Sequence, residues 1–464
     1  MTGTTTLRSG PTPRPNPTEP HSYHFPEFER RTLPNGMRLV VAPVAKLPLV
    51  SITAVVDAGA SVEREGQDGV AALTAQLLLE GAAGLDGAAL TDRFERIGTS
   101  VDAHADWDAA TVSLTVLAEW LPEALTLVRD LLRAPEFPDR EVARLKDERL
   151  AELLQLRAEP GALADEHLSR AVYAPTARYA SPAGGNAASV RALTRDVVRG
   201  FYAERYRPAA TTLVIAGDVS VDRAADLARA LFGDWQGDVG PTMERAVDTS
   251  PILRITRVVA KADAPQSELR MGHAGLSRRH PDYFEATVMN AVLGGLFSSR
   301  INLNLREEHG YTYGAFSAFE WRRSSGPFVI QTAVKSDVTG AAVREILHEI
   351  ERMRSEEISP NELTLATSYL DGVFPIRYET TSAIATALSN LVIHGLPEQF
   401  YDDYRTRVRA VTTQDVLRAA QRHLHPDRLR IVVVGDPGVI VTPLSEIHGA
   451  SVEIVAPDGT EVAA

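Results

Sequence analysis

Arg306 and Tyr313 are the pair whose types and spacing suggest chemistry. They lie seven residues apart in Leu293 to Phe319, LGGLFSSRINLNLREEHGYTYGAFSAF. A guanidinium carries a fork of N–H donors and a phenol carries one O–H. Held at one corner of the chain, both reach an extended peptide backbone. Taken alone, Arg306 reads as a solvated helix charge and Tyr313 as a half-buried strand residue. Elsewhere the sequence has no serine nucleophile elbow, no P-loop and no G-x-G-x-x-G.

The surrounding residues say how the corner is built. Gly294 and Gly295 open a turn before Phe297-Ser298-Ser299-Arg300. Ile301 to His309 reads as a short helix, with apolar Ile301, Leu303 and Leu305 among polar Asn302, Asn304, Arg306, Glu307 and Glu308. Gly310 stops it, because glycine takes the left-handed conformation without strain. The aromatic and β-branched run Tyr311-Thr312-Tyr313 predicts the start of a strand.

This stretch resembles the second-half signature of the insulinase/pitrilysin family of zinc metallopeptidases, which includes processing peptidases and their bacterial relatives. In that family an arginine in the LRE segment and a tyrosine seven residues on bind substrate near the scissile bond. The resemblance assigns those substrate-binding roles to Arg306 and Tyr313. It also draws attention to Gly294-Gly295, because a glycine-rich stretch engages substrate in one mitochondrial subunit. With two glycines, close packing of a turn is the expectation here.

Active members carry His-x-x-Glu-His in the first half. One helix then places two imidazoles at i and i+4 on a zinc ion, with the glutamate as general base. None of the twelve histidines here begins such a motif. Leu305-Arg306-Glu307-Glu308-His309 has only its second half. Where relatives place the motif, this chain reads Gly69-Val70-Ala71-Ala72-Leu73-Thr74-Ala75-Gln76-Leu77. Ala72, Ala75 and Gln76 replace His, Glu and His. Alanine neither ligates zinc nor accepts a proton, and an amide is a poor Zn²⁺ ligand. Glu152 falls where the distal glutamate ligand occurs; alone it reads as a helix-surface charge. His104-Ala105-Asp106 and His423-Leu424-His425 lack the partners of a ligand set, and His21 and His24 lie in the N-terminal tail. The expectation is no catalytic residue, no metal and no cofactor in this chain.

With 464 residues, 44% hydrophobic and 23% charged, the chain is an ordinary globular one with material for two or more domains. A net charge of −13 argues against nucleic acid and hints weakly at basic or neutral partners. No cysteine is present, so disulfides and thiolate metal sites are excluded. No apolar run spans a membrane, and the N-terminus lacks the apolar region of a secretory signal. A cytoplasmic location is expected.

The chain repeats itself. Pro208 and Pro426, each between a helix signal and a strand, are 218 residues apart, as are Asp218 and Asp436, which follow a glycine at each strand's end. Pro138…Glu141 and Pro360…Glu362 head two long helical patterns. A period this long means domain duplication. The predicted class is α+β: two homologous domains, each a mostly antiparallel sheet flanked by helices. The expected division is a flexible Pro/Thr-rich tail at 1–26, domains at 27–236 and 251–450, a linker at 237–250 and a C-terminal tail at 451–464. Asn35-Gly36 predicts a hairpin with a type I′ turn.

The resemblance then implies a function. Some members divide labour between two homologous chains, one holding zinc and the other keeping the arginine–tyrosine pair. This chain is expected to be the second kind, a non-catalytic, substrate-binding subunit. Its partners would be a His-x-x-Glu-His-bearing subunit, which carries the zinc, and peptide substrates. Arg306 would bind a substrate carbonyl, and Tyr313 would bond the backbone or the tetrahedral oxyanion. The alternative is a structural, assembly or peptide-binding homodimer without peptidase activity.

Overall fold

The computed structural model describes residues 22–237, 247, 249–250, 254–447 and 452–462. Two six-stranded sheets organise it. The first is built from β1 (Glu29–Thr32), β2 (Arg38–Pro43), β3 (Leu49–Val56), β4 (Asp102–Ala105), β5 (Ala110–Leu117) and β6 (Thr211–Gly217), in the order β1-β2-β6-β3-β5-β4. The second uses β7 (Ile255–Ala260), β8 (Gln266–Ala274), β9 (Ala315–Phe319), β10 (Pro327–Lys335), β11 (Arg430–Gly435) and β12 (Val452–Val455), in the order β9-β10-β8-β11-β7-β12.

Five strands of each sheet match in order and direction. In the first, β2 and β6 are parallel and the pairs β6–β3, β3–β5 and β5–β4 antiparallel. In the second, β7 and β11 are parallel and β11–β8, β8–β10 and β10–β9 antiparallel. The sixth strand breaks the symmetry: β1 runs antiparallel to β2, whereas β12 runs parallel to β7. The duplication read from two prolines and two aspartates is thus a duplication of sheet topology.

Seven helices matter below: α1 (Val70–Leu77), α2 (Asp139–Leu156), α3 (Pro160–Val172), α4 (Ala187–Ala192), α5 (Pro360–Arg377), α6 (Thr381–His394) and α7 (Thr413–His423). The long helices α2 and α5 hold equivalent positions in the repeat, and so do α3 and α6, which follow them. Their packing is crossed. Leu163, Leu168 and Val172 of α3 pack on Val329, Val432, Val434 and Val455 of the second sheet. Ile384, Leu388 and Leu391 of α6 share a core with Val40, Ala42, Val214 and Ala216 of the first. A Cβ at Gly272 of β8 would lie 3.2 Å from Leu168, so α3 seats closely there. The Ser51 and Thr381 hydroxyls, 2.9 Å apart, tie α6 to β3. The opposite face of the first sheet, with Leu39, Val41, Ile52 and Ile215, is covered from within its own half.

Several expectations change. Residues 1–21 of the expected tail lie outside the described residues, but 22–26 are anchored. Phe25 is 4% exposed and stacks on Tyr401 at 4.7 Å, and the Tyr23 hydroxyl donates to the Tyr378 carbonyl at 3.3 Å. An aromatic cluster far along the chain captures what composition alone reads as loose. Most of the expected linker lies outside the described residues; Thr249 bridges to Tyr173 and the Ser250 N–H donates to the Val172 carbonyl. The expected C-terminal tail supplies β12, because the edge of β7 is open to a strand there. The β1–β2 turn is not type I′. Pro34 holds its own φ negative, and the Gly36 N–H donates to the Leu33 carbonyl at 2.9 Å, so the turn centres on Pro34-Asn35 and Gly36 alone takes positive φ. Among the described residues no helix is long and apolar enough to cross a membrane.

Candidate functional site

The helix α1 carries Ala72, Ala75 and Gln76, the positions to which the resemblance assigns the zinc motif. It starts at Gly69, with φ 98°, and is held from beneath by Glu63. The buried Glu63 carboxylate accepts the N–H of Gly69 at 3.0 Å and of Ala71 at 2.9 Å, and pairs with Arg178 at 2.6 Å. Arg178 in turn donates to the carbonyls of Ser181, Pro182 and Ala183. Burial pushes the Glu63 carboxyl up, to about 7, against the pull of Arg178 and the two N–H donors. This pair spans 115 residues and has no local sequence signal.

One turn apart on α1, Ala72 and Gln76 open into a cavity of about 210 Å³, and Glu152 of α2 lies on its wall. These three positions, each named from the sequence, therefore share one cavity. Ala75 is fully buried. The residues present do not fit a zinc ion. Glu152 is the sole carboxylate lining the cavity, its side chain is 56% exposed, and Arg149 pairs with it at 2.7 Å. Lys146 and Arg149, two cations, share the wall. A divalent cation would meet like charges and one engaged carboxylate.

The arginine–tyrosine corner departs from expectation in its backbone. Ala291–Gly295 and Leu303–Glu308 are π-helical turns, with one α-turn, Arg300–Asn302, before the second. The Asn304 carbonyl accepts the His309 N–H five residues on, at 3.1 Å, the spacing of a π-turn, and the Asn304 side-chain amide donates to Glu345 and Glu349 at 3.1 and 3.0 Å. Gly310 ends it with φ 64°. No strand begins at Tyr311. The Tyr311 ring packs on His309, Thr312 closes a turn onto Gly314, and β9 begins at Ala315. Tyr313 stands on this loop, 96% exposed. Arg306 lies over the Phe297 ring at 3.6 Å and pairs with Glu307 at 2.7 Å, while Phe297 is itself 75% exposed. Phe297 is a member of this corner that sequence reading passed over; an aromatic nine residues before the arginine is its one trace. Gly294 has the packing role expected: a Cβ there would lie 2.4 Å from the Ser317 hydroxyl.

The other histidines fall apart as candidate ligands. His104 pairs with Asp102 at 2.7 Å on exposed β4. His423 ends α7 and pairs with Asp282 at 2.7 Å, whereas the His425 ring faces His273. Among the described residues, His280, Asp282 and His423 have metal-type donor atoms close together. Asp282 is already engaged: its carboxylate pairs with His423 at 2.7 Å and stands 3.5 Å from Arg422, and its N–H donates to His280 Nδ1 at 3.1 Å. The group ties the end of α7 to the helix starting at Tyr283.

Comparisons with known proteins now bear on this geometry. Residues 40–182 match the family model described as insulinase (peptidase family M16), and residues 192–370 match that of the peptidase M16 inactive domain. An uncharacterized zinc protease of Streptomyces coelicolor is 22% identical over 411 residues, covering 88% of this chain and 89% of its own. The non-peptidase homolog YmxG of Helicobacter pylori is 26% identical over 396 residues, with 84% and 90% covered. Among solved structures, the peptidase M16 inactive domain from Pseudomonas fluorescens superposes with a TM-score of 0.80 at 26% identity, covering 88% of this chain and 98% of that one.

Proposed function

The chain belongs to the insulinase family, peptidase family M16, and from that premise we propose that it is the non-catalytic, substrate-binding subunit of a heteromeric zinc metallopeptidase. The observation that carries this reading is the contrast between its two corners. The motif helix offers Ala72 and Gln76 to a cavity walled by Lys146 and Arg149, while Tyr313 stands almost wholly in solvent and the Arg306 guanidinium, seven residues before it, lies 3.6 Å over the Phe297 ring. A phenol so placed is open to bond another molecule. The zinc and the hydrolysis belong to a homologous partner bearing His-x-x-Glu-His.

This chain contributes donors. Stacking on Phe297 keeps the Arg306 fork oriented, and exchange of the exposed Glu307 for a substrate carbonyl leaves the stack intact. Tyr313 then bonds the peptide backbone or the oxyanion that develops on it. Both groups act by position, so they serve equally well from a second chain. In a complex purified with its partner, Arg306→Ala or Tyr313→Phe lowers peptidase turnover about tenfold or more, while size-exclusion profiles and zinc content stay unchanged. Unchanged turnover in both variants would remove the role.

A further inference from the structure

The cleft beside Ala72 and Gln76 favours a ligand of the charge opposite to that suggested by the whole chain. The cavity at Ala72 and Gln76 adjoins a larger one of about 430 Å³, lined by α2, α3 and α4, and Arg149 lines both. Three carboxylates lie on these walls, and each is engaged. Arg149 holds Glu152, Arg170 holds Glu166, and Arg270 crosses from β8 to hold Asp165. Three cations are left over. Lys146 donates to the carbonyls of Arg191 and Leu193, and Arg191 makes one 3.4 Å contact with the Ala187 carbonyl. The exposed Arg157 side chain makes no hydrogen bond and no ion pair within 4 Å among the described residues, and a carboxylate that feels its charge, Asp458, accepts its hydrogen bonds from Thr460 instead.

A neutral donor adds to the pattern. Trp107 lines the larger cavity, and its indole N–H is buried without an acceptor among the described residues. Leu153 and Leu156 give the same cavity an apolar wall. The unmatched polar groups here are donors or cations, in a chain whose net charge is −13. Like-signed groups around a partly enclosed cleft raise the local concentration of the opposite charge.

We propose that this cleft binds an acidic, extended segment of polypeptide, with Arg157, Arg191 and Lys146 reading its carboxylates. The proposal deepens the subunit reading by naming a substrate class, and rests on it only for where the peptide comes from. The test uses the full chain and fluorescein-labelled decapeptides identical except that four positions carry Glu, Gln or Lys. Fluorescence anisotropy at low salt is expected to show the Glu peptide binding at least tenfold tighter than the Gln peptide, with the Lys peptide weakest. The gap closes in 0.5 M salt, where charges are screened beyond a few ångströms.

Arg157→Glu combined with Arg191→Glu removes the preference for Glu. If that variant melts early, Arg157→Gln alone carries the same comparison with a smaller loss. Equal binding of the Glu and Gln peptides, no binding of any, or a preference that survives both variants would overturn the proposal. No peptidase partner is present in this measurement. Failure of the Arg306 and Tyr313 roles therefore leaves it standing, and its failure leaves those roles standing.

Discussion

Gln76 lies on the helix face that its spacing from Ala72 predicts. Helical spacing puts positions 72 and 76 on one face whatever their side chains. Glu152 joins them on the same cavity wall. Other residues carry effects that nothing local announces. Burial holds His394 well below the ordinary imidazole range, at about 4, and the neighbouring Arg278, Arg323 and Arg279 push the same way; His273 is held at about 4, chiefly by burial. The unfolded chain takes up these protons near 6.5, whereas the folded one resists until about 4. Each histidine therefore withdraws stability as pH falls through that window. Glu63, raised by burial, acts in the opposite direction. A difference measurement separates them: between pH 6.5 and 4.5, thermal melting temperature drops less in His394→Asn than in the unchanged protein.

At the scale of elements, the lesson lies in what anchors α1. Its apolar run predicts a helix, and a helix forms, but its position depends on Glu63 and Arg178 beneath it. Glu63→Ala strips two backbone N–H groups of their acceptor and leaves the buried Arg178 guanidinium with only the more distant Asp68, at 3.7 Å, as a carboxylate. Breaking such a pair costs about 3–5 kcal/mol, read as a lower denaturant midpoint with an unchanged slope. Local signals located the long helices headed by Pro138 and Pro360 and the strands that follow Pro208 and Pro426. They placed a strand at Tyr311 because the residue types suit one, yet the turn that Thr312 makes onto Gly314 delays it to Ala315. They missed β12 and the seat of Phe25 because both depend on partners far along the chain.

For the whole molecule, duplication was legible and the crossing of α3 and α6 was not. Two prolines and two aspartates at one spacing suffice to reveal a repeat. An amphipathic helix, by contrast, does not say which of two similar sheets it will cover. The crossing has a measurable result. A fragment ending at Gly237 leaves Val40, Ala42, Val214 and Ala216 without the helix that covers them, and the complementary fragment from Arg254 lacks α3. Neither fragment alone melts cooperatively, and mixing the two restores a single transition by circular dichroism. A cooperative melt of either fragment by itself would contradict this.

The same crossing bears on descent. Two copies of a one-sheet ancestor that exchanged this helix would form a domain-swapped homodimer, with each sheet completed by its twin. Joining the copies end to end turns that dimer into one chain without moving a helix. Once fused, two such copies can diverge in sequence while each half keeps the sheet order it started with.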